Sequence, residues 1–244
     1  GAAGADPSDR AAPADPAGRG VVIYCHGNAE SMATRAWIAR RLAGLALHTL
    51  LFDYRGYGLS EGRPSGAGLA RDARAAWRHV VEERGFDPGR VVLMGHSLGS
   101  AVATGLALEL GSPGTDGAGR IGSGRGDDAG RSGRSAPAGL ILGSPFPDMP
   151  ALFAHHAPWL PRWTLRWRRD RHDAGSRIGD VTVPVLIIFG ADDEVIPPAM
   201  SRSVYEAARE PKELVTVPAD HGTVMGHPAV WEAIRRFAQG PGGD

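Results

Sequence analysis

The chain has 244 residues, in which 27 Lys and Arg balance 27 Asp and Glu. That length suits one α/β domain with an ample core, and the zero net charge excludes a global field that would draw the chain to nucleic acid or an anionic surface. One cysteine, Cys25, excludes an internal disulfide and a cysteine-based metal site, and no apolar run approaches the roughly eighteen residues of a membrane span.

Residues 1–19 are Ala, Pro, Asp and Gly with hardly an apolar side chain, so a flexible linker is expected there. No secretory signal is visible. A soluble domain, cytoplasmic rather than secreted, is the expectation, with a tether lost from the N-terminus as the alternative. A first strand is predicted over 20–25, running directly into His26-Gly27-Asn28. Gly27 allows close approach of the backbone, and the Asn28 N–H is a candidate oxyanion donor. Asn28 is equally suited to cap the helix predicted over 31–45. The next strand, over 48–53, leads into Asp53-Tyr54-Arg55-Gly56-Tyr57-Gly58-Leu59-Ser60-Glu61-Gly62. Those glycines lack the G-x-G-x-x-G spacing of a dinucleotide site, so a tight loop beside the site is expected. A helix over 69–84 follows.

The strand predicted over 90–95 delivers Gly95-His96-Ser97-Leu98-Gly99 onto a helix predicted over 98–110. Glycines two residues before and two after a serine, between a strand and a helix, make a nucleophile elbow. A side chain at Gly95 or Gly99 would collide with the neighbouring strand or helix, and the turn lifts the Ser97 hydroxyl clear of the sheet. The Leu98 N–H, at the start of that helix, is the second candidate oxyanion donor. His96 faces away from the tip of the nucleophile and is expected to be a packed or hydrogen-bonded core histidine.

Residues 111–138 are a Gly/Ser/Arg/Asp tract with Ile121 as its one large apolar side chain, too little apolar surface to offset ordering entropy. A disordered insertion is predicted, followed by a strand over 139–143. Residues 144–180 then form a cap-like helical segment. Phe146, Met149, Phe153 and Trp159 are its candidates to face a substrate. Its tail, Trp163-Thr164-Leu165-Arg166-Trp167-Arg168-Arg169-Asp170-Arg171-His172, interleaves aromatic and basic side chains and suits either packing on the domain or peripheral contact with a membrane surface.

An activated serine needs a base, and the base an orienting acid. The strand predicted over 183–190 ends at Ala191-Asp192-Asp193-Glu194-Val195-Ile196-Pro197-Pro198, where Asp193 is the preferred acid and Asp192 the alternative. A helix over 198–208 and a strand over 213–218 follow, and Ala219-Asp220-His221-Gly222 comes immediately after that strand. His221 is the expected base, with His227, at the entry of a helix over 228–238, the alternative. Residues 239–244 read as a tail. His155 and His156 have no matching ligand set, so a metal site is not expected, and no other motif calls for a cofactor. Strand–helix alternation of this kind argues for a wound, mostly parallel sheet with ligands beyond the carboxyl ends of its strands, where all these candidates fall.

In order and spacing, His26-Gly27-Asn28-Ala29-Glu30, the 53–62 loop, Gly95-His96-Ser97-Leu98-Gly99, the 190–197 run and Asp220-His221-Gly222 resemble the α/β-hydrolase superfamily over residues 20–238. The first two motifs, Ser144-Pro145-Phe146-Pro147-Asp148-Met149 and the Val-Ile-Pro-Pro run are similar to the branch containing membrane-linked lysophospholipid lipases and protein depalmitoylases. The resemblance implies a hydrolase of carboxylic esters or thioesters acting through Ser97, His221 and Asp193, and the Phe- and Trp-rich cap, able to bury an apolar chain, points to a lipid-like substrate with a medium or long acyl group. A peptidase or amidase on the same triad, and a non-catalytic binding or scaffold protein of the same fold, are the alternatives.

Overall fold

The computed structural model describes residues 20–111, 136–157, 159, 173 and 175–239. The expected linker at 1–19, nearly all of the expected insertion, the Trp- and Arg-rich stretch 163–172 and the end of the chain from 240 lie outside the described residues.

Six short runs rich in Val, Ile and Leu become strands β1 (Val21–Cys25), β2 (His48–Leu51), β3 (Val91–His96), β4 (Gly139–Gly143), β5 (Val185–Gly190) and β6 (Lys212–Val217). They pair in the order β2-β1-β3-β4-β5-β6, and every pair is parallel. β1, β3, β4 and β5 are buried along their whole lengths, which is why they read as continuous apolar runs rather than as alternating ones.

Because successive side chains of a strand point to opposite faces, each strand feeds two cores. Val21, Ile23 and Leu93 pack with Trp77 and Leu106 from the helices on one face, α2 (Gly66–Arg78) and α3 (Leu98–Leu110). Val22, Tyr24 and Met94 pack on the other face with Ile38, Leu42, Trp231 and Ile234, from α1 (Met32–Gly44) and α6 (Pro228–Gln239). Two shorter helices, α4 (Met149–His156) and α5 (Pro198–Ala207), follow β4 and β5.

The predicted elements all form, with shifted ends. β2 stops two residues early, leaving Phe52 and Asp53 to the loop. The helix predicted over 69–84 begins at Gly66, capped by Ser65, and gives way to a π-helical turn at His79–Glu83. Ser31, not Asn28, caps α1, its hydroxyl accepting from the Thr34 N–H.

From β1 the chain steps outward to β2, then returns to place β3 on the opposite side of β1. This reversal opens a crevice at the carboxyl ends of β1 and β3. Both the His26-Gly27-Asn28 loop and Ser97 emerge there.

Candidate active site

Ser97 sits between β3 and α3 with φ 55° and ψ −123°. Left-handed backbone at a residue with a side chain costs on the order of 1–3 kcal/mol and persists only where the surroundings enforce it. Here the enforcement is visible: the Ser97 N–H donates to the Gly143 carbonyl at the end of β4 (2.9 Å), and its own carbonyl accepts from Ser100 N–H (2.9 Å) and Oγ (2.6 Å). The flanking glycines are a steric requirement. A Cβ on Gly95 would lie 2.2 Å from the Gly99 carbonyl oxygen, and one on Gly99 would lie 1.9 Å from that of Cys25. The first turn of α3 therefore rests directly on the end of β1.

The loop after β5 supplies the carboxylate. Asp193 is buried, at 3% exposure, whereas Asp192 and Glu194 face solvent. Asp193 Oδ1 accepts from the backbone N–H groups of Val195 (3.0 Å) and Ile196 (2.7 Å). Its Oδ2 accepts from the Ser144 hydroxyl and from His221 Nδ1, each at 2.8 Å. Burial alone would raise this carboxyl, but the bonds from His221, Ile196 and Ser144 outweigh it and hold Asp193 below the usual aspartate range. Against an ionised carboxylate His221 Nδ1 carries the proton, so Nε2 is the lone-pair face of the ring.

His221 follows β6 and lies against the elbow, its ring centroid 4.9 Å from that of His96, the residue preceding Ser97. His227, the alternative base, instead accepts the Ala229 N–H through Nδ1 (3.2 Å) at the entry of α6. His96 is 1% exposed and shares a hydrogen bond with Glu30 Oε1 through Nδ1 (3.2 Å). Burial keeps it below the ordinary histidine range despite that carboxylate. It is the buried, bonded histidine expected from sequence, and it also packs on the candidate base.

Across the crevice, Asn28 lies in the exposed turn after β1, where its Oδ1 accepts from the Tyr57 hydroxyl (2.8 Å). The 53–62 loop grips this region at further points: Asp53 Oδ1 accepts the Met32 N–H (2.6 Å) and lies 3.7 Å from His26 Nε2. The loop thus braces the turn beside Ser97. Leu98 opens α3, so its N–H has no acceptor within the helix. Among the described residues no group of His, Cys, Asp and Glu has the arrangement of a metal site.

The cap candidates divide. Phe146 is 2% exposed and packs with Ala101 and Ile196, so its ring is interior packing and not the open substrate contact expected of it. Met149 is partly buried on that cluster, Phe153 is half-buried and Trp159 is 77% exposed. α4 is tied to the acid loop by His156 Nε2, 2.7 Å from the Val195 carbonyl oxygen.

Sequence reasoning missed Ser144. Fully buried, with φ 44°, it binds the carboxylate bonded to His221, and the local signals for it are its place immediately after a buried strand and at the head of the Ser144–Met149 motif. Nothing local in the sequence gives Glu30 a role.

A model described as the alpha/beta hydrolase family matches residues 22–234. The uncharacterized protein Rv2307c of Mycobacterium tuberculosis is 39% identical over 220 residues, covering 89% of this chain and 69% of that protein. The lysophosphatidylserine lipase ABHD12 of Danio rerio is 29% identical over 207 residues, 80% of this chain and 48% of that protein. Among solved structures, an alpha-beta hydrolase from Vibrio vulnificus superposes with a TM-score of 0.65 at 22% identity, covering 88% of this chain and 74% of that one.

Proposed function

The chain belongs to the alpha/beta hydrolase family, and from that premise we propose that it is a serine hydrolase of carboxylic esters or thioesters. The observation that carries the reading is the buried Asp193 carboxylate bonded to His221 Nδ1, with the His221 ring packed on that of His96, the residue preceding a serine held in strained, left-handed backbone. A serine hydroxyl is a weak nucleophile without a base, and the base works best when a fixed carboxylate sets its tautomer.

In the proposed reaction Ser97 Oγ attacks the acyl carbon while His221 Nε2 takes the hydroxyl proton. Asp193 stabilises the imidazolium. The carbonyl electrons move onto oxygen, which the N–H groups of Asn28 and Leu98 stabilise by a few kcal/mol each. Collapse of this intermediate expels the alcohol or thiol, which takes the proton from His221. Water, deprotonated by the same ring, then attacks the acyl-enzyme, and the second collapse breaks the ester bond to Ser97 Oγ, which takes the proton back from His221 as the acid leaves.

The substrate we propose carries a medium or long acyl chain. The apolar side chains of Met149 and Phe153 on α4, the helix tied to the acid loop through His156, and the exposed Trp159 beyond it support this, each buried methylene contributing roughly 0.8 kcal/mol. The likeness to a lysophosphatidylserine lipase points the same way. Peripheral contact with a membrane would suit such a substrate, and no helix of the described residues is long and apolar enough to cross one.

Hydrolysis of p-nitrophenyl esters of increasing chain length, run beside a peptide substrate, tests the proposal. The expected result is ester cleavage that improves with chain length, loses at least a thousand-fold in Ser97→Ala, and parallels labelling of Ser97 by a fluorophosphonate. Labelling that survives Ser97→Ala, or preferential cleavage of the peptide, overturns it.

A further inference from the structure

Glu30 lies just beyond the proposed catalytic groups and holds three donors from three segments. Its Oε2 accepts the Gly27 N–H (2.9 Å), in the loop after β1. Its Oε1 accepts from His96 Nδ1 (3.2 Å), in the elbow, and from the Arg35 guanidinium, in α1. Gly27 directly precedes Asn28, and His96 directly precedes Ser97. The carboxylate therefore bridges the two segments that carry the proposed oxyanion donors, although Glu30 and His96 are 66 residues apart in the chain.

The fit is close. The Glu30 side chain is 12% exposed, and a Cβ added to Gly27 would lie 3.0 Å from Glu30 Oε1 and 3.3 Å from the His96 carbonyl oxygen. Burial would raise the Glu30 carboxyl, yet the bonds from His96 and Arg35 bring it down to about 2, so it is ionised when the protein is at neutral pH. Arg35 balances that charge.

We propose that Glu30 is a positioning residue that fixes the spacing between the Asn28 and Leu98 N–H groups by cross-linking the oxyanion loop to the nucleophile elbow. The inference rests on the serine-hydrolase reading. Two donors on separate segments stabilise one oxygen only if both stay near 3 Å from it, and a misplacement of about 1 Å costs on the order of a hundred-fold in rate. No continuous secondary structure holds these segments in register beyond the last β1–β3 pair, Cys25 with Gly95. Glu30 continues the connection across the gap.

The test compares Glu30→Ala and Glu30→Gln with the wild type in p-nitrophenyl butyrate hydrolysis and in amide hydrogen exchange at Gly27 by NMR, with thermal unfolding as the control for folding. Glu30→Ala is expected to lower kcat ten- to a hundred-fold with KM within two-fold, and to speed Gly27 exchange at least ten-fold. Glu30→Gln keeps one acceptor oxygen and is expected to fall between the two, and it carries the test should Glu30→Ala fail to fold. If both variants keep kcat within two-fold while Ser97→Ala is inactive, the cross-link is wrong and the serine-hydrolase reading stands. If the wild type cleaves no ester, that reading fails separately, and unchanged Gly27 exchange in both variants would then overturn the cross-link too.

Discussion

Asp192 and Asp193 are adjacent carboxylates on one loop, and their environments could hardly differ more. Asp192 faces solvent, while Asp193 has four hydrogen-bond donors and almost no exposure. Two of those donors are the backbone N–H groups of its own loop, so the carboxylate is seated before it meets His221. The fourth donor, Ser144, makes a specific forecast. Its hydroxyl shares Oδ2 with His221 Nδ1, so Ser144→Ala frees that oxygen to rotate and removes a bond to a charged group, a loss of about 1.5–3 kcal/mol. The expected kinetic result is a roughly ten-fold fall in kcat/KM carried by kcat, with KM unchanged. Ser144→Gly should lose the same bond while relieving the φ of 44°, so it should match Ser144→Ala in kcat and exceed it in melting temperature. Steady-state kinetics and thermal unfolding of the pair check both statements.

Among the elements, α3 is the one on which the site depends most. Ten of its thirteen residues are buried, so it is apolar nearly all round and locked between the sheet and its neighbours. Its first turn approaches β1 so closely that Gly99 admits no side chain. In Gly99→Ala the Cβ would meet three backbone atoms of Cys25 and His26 at 1.9–2.7 Å, none of which can rotate away. Either α3 or the β1 loop must shift, and both carry proposed oxyanion donors. We expect a folded but destabilised variant, with kcat reduced about a hundred-fold or more, measured by ester hydrolysis and calorimetry. Gly105, on the same helix, is the control: a Cβ there meets nothing within 4 Å, so Gly105→Ala should leave activity unchanged and raise stability by about 0.5–1 kcal/mol through helix propensity.

For the whole molecule, the buried charges around the crevice set how stability responds to acid. Glu30 in the folded state is held at about 2 against an ordinary 4.5, so its contribution is present above pH 4.5 and is lost as pH falls toward 2. That contribution is on the order of 3 kcal/mol. Asp193, also depressed, acts in the same direction. So does His96: kept neutral by burial, it resists the proton that an unfolded histidine binds below about pH 6.5. Stability should therefore decline steadily from pH 6.5 toward pH 3, and Glu30→Gln should flatten the lower part of that decline. Urea unfolding at pH 7, 5 and 3.5 measures both slopes, and parallel declines in the two proteins would contradict the role given to Glu30.

The apolar runs and their spacing foreshadowed the six strands and the five helices that alternate with them, because burial on one or both faces leaves its imprint within a few neighbouring positions; the short 3-10 turns at Pro88–Arg90, Gly175–Asp180 and Val224–Gly226 left no such imprint. The same local rule exposed the elbow, where glycines must flank the serine, and the order in which serine, acid and base candidates reach successive strand ends. Helix ends were less legible: Ser31 and Ser65 cap through contacts a few residues away, and the π turn after α2 has no sequence signature. What only the tertiary structure decided is which polar atoms meet. The bond between Asp193 and His221, the bond of Asp193 with Ser144 from 49 residues away, the packing of His96 on His221 and the bridge made by Glu30 all join segments distant in the chain. A hydrogen bond depends on angstrom-scale distances between particular atoms. Linear sequence records local burial patterns well, but those distances exist only once the sheet has brought its carboxyl ends together.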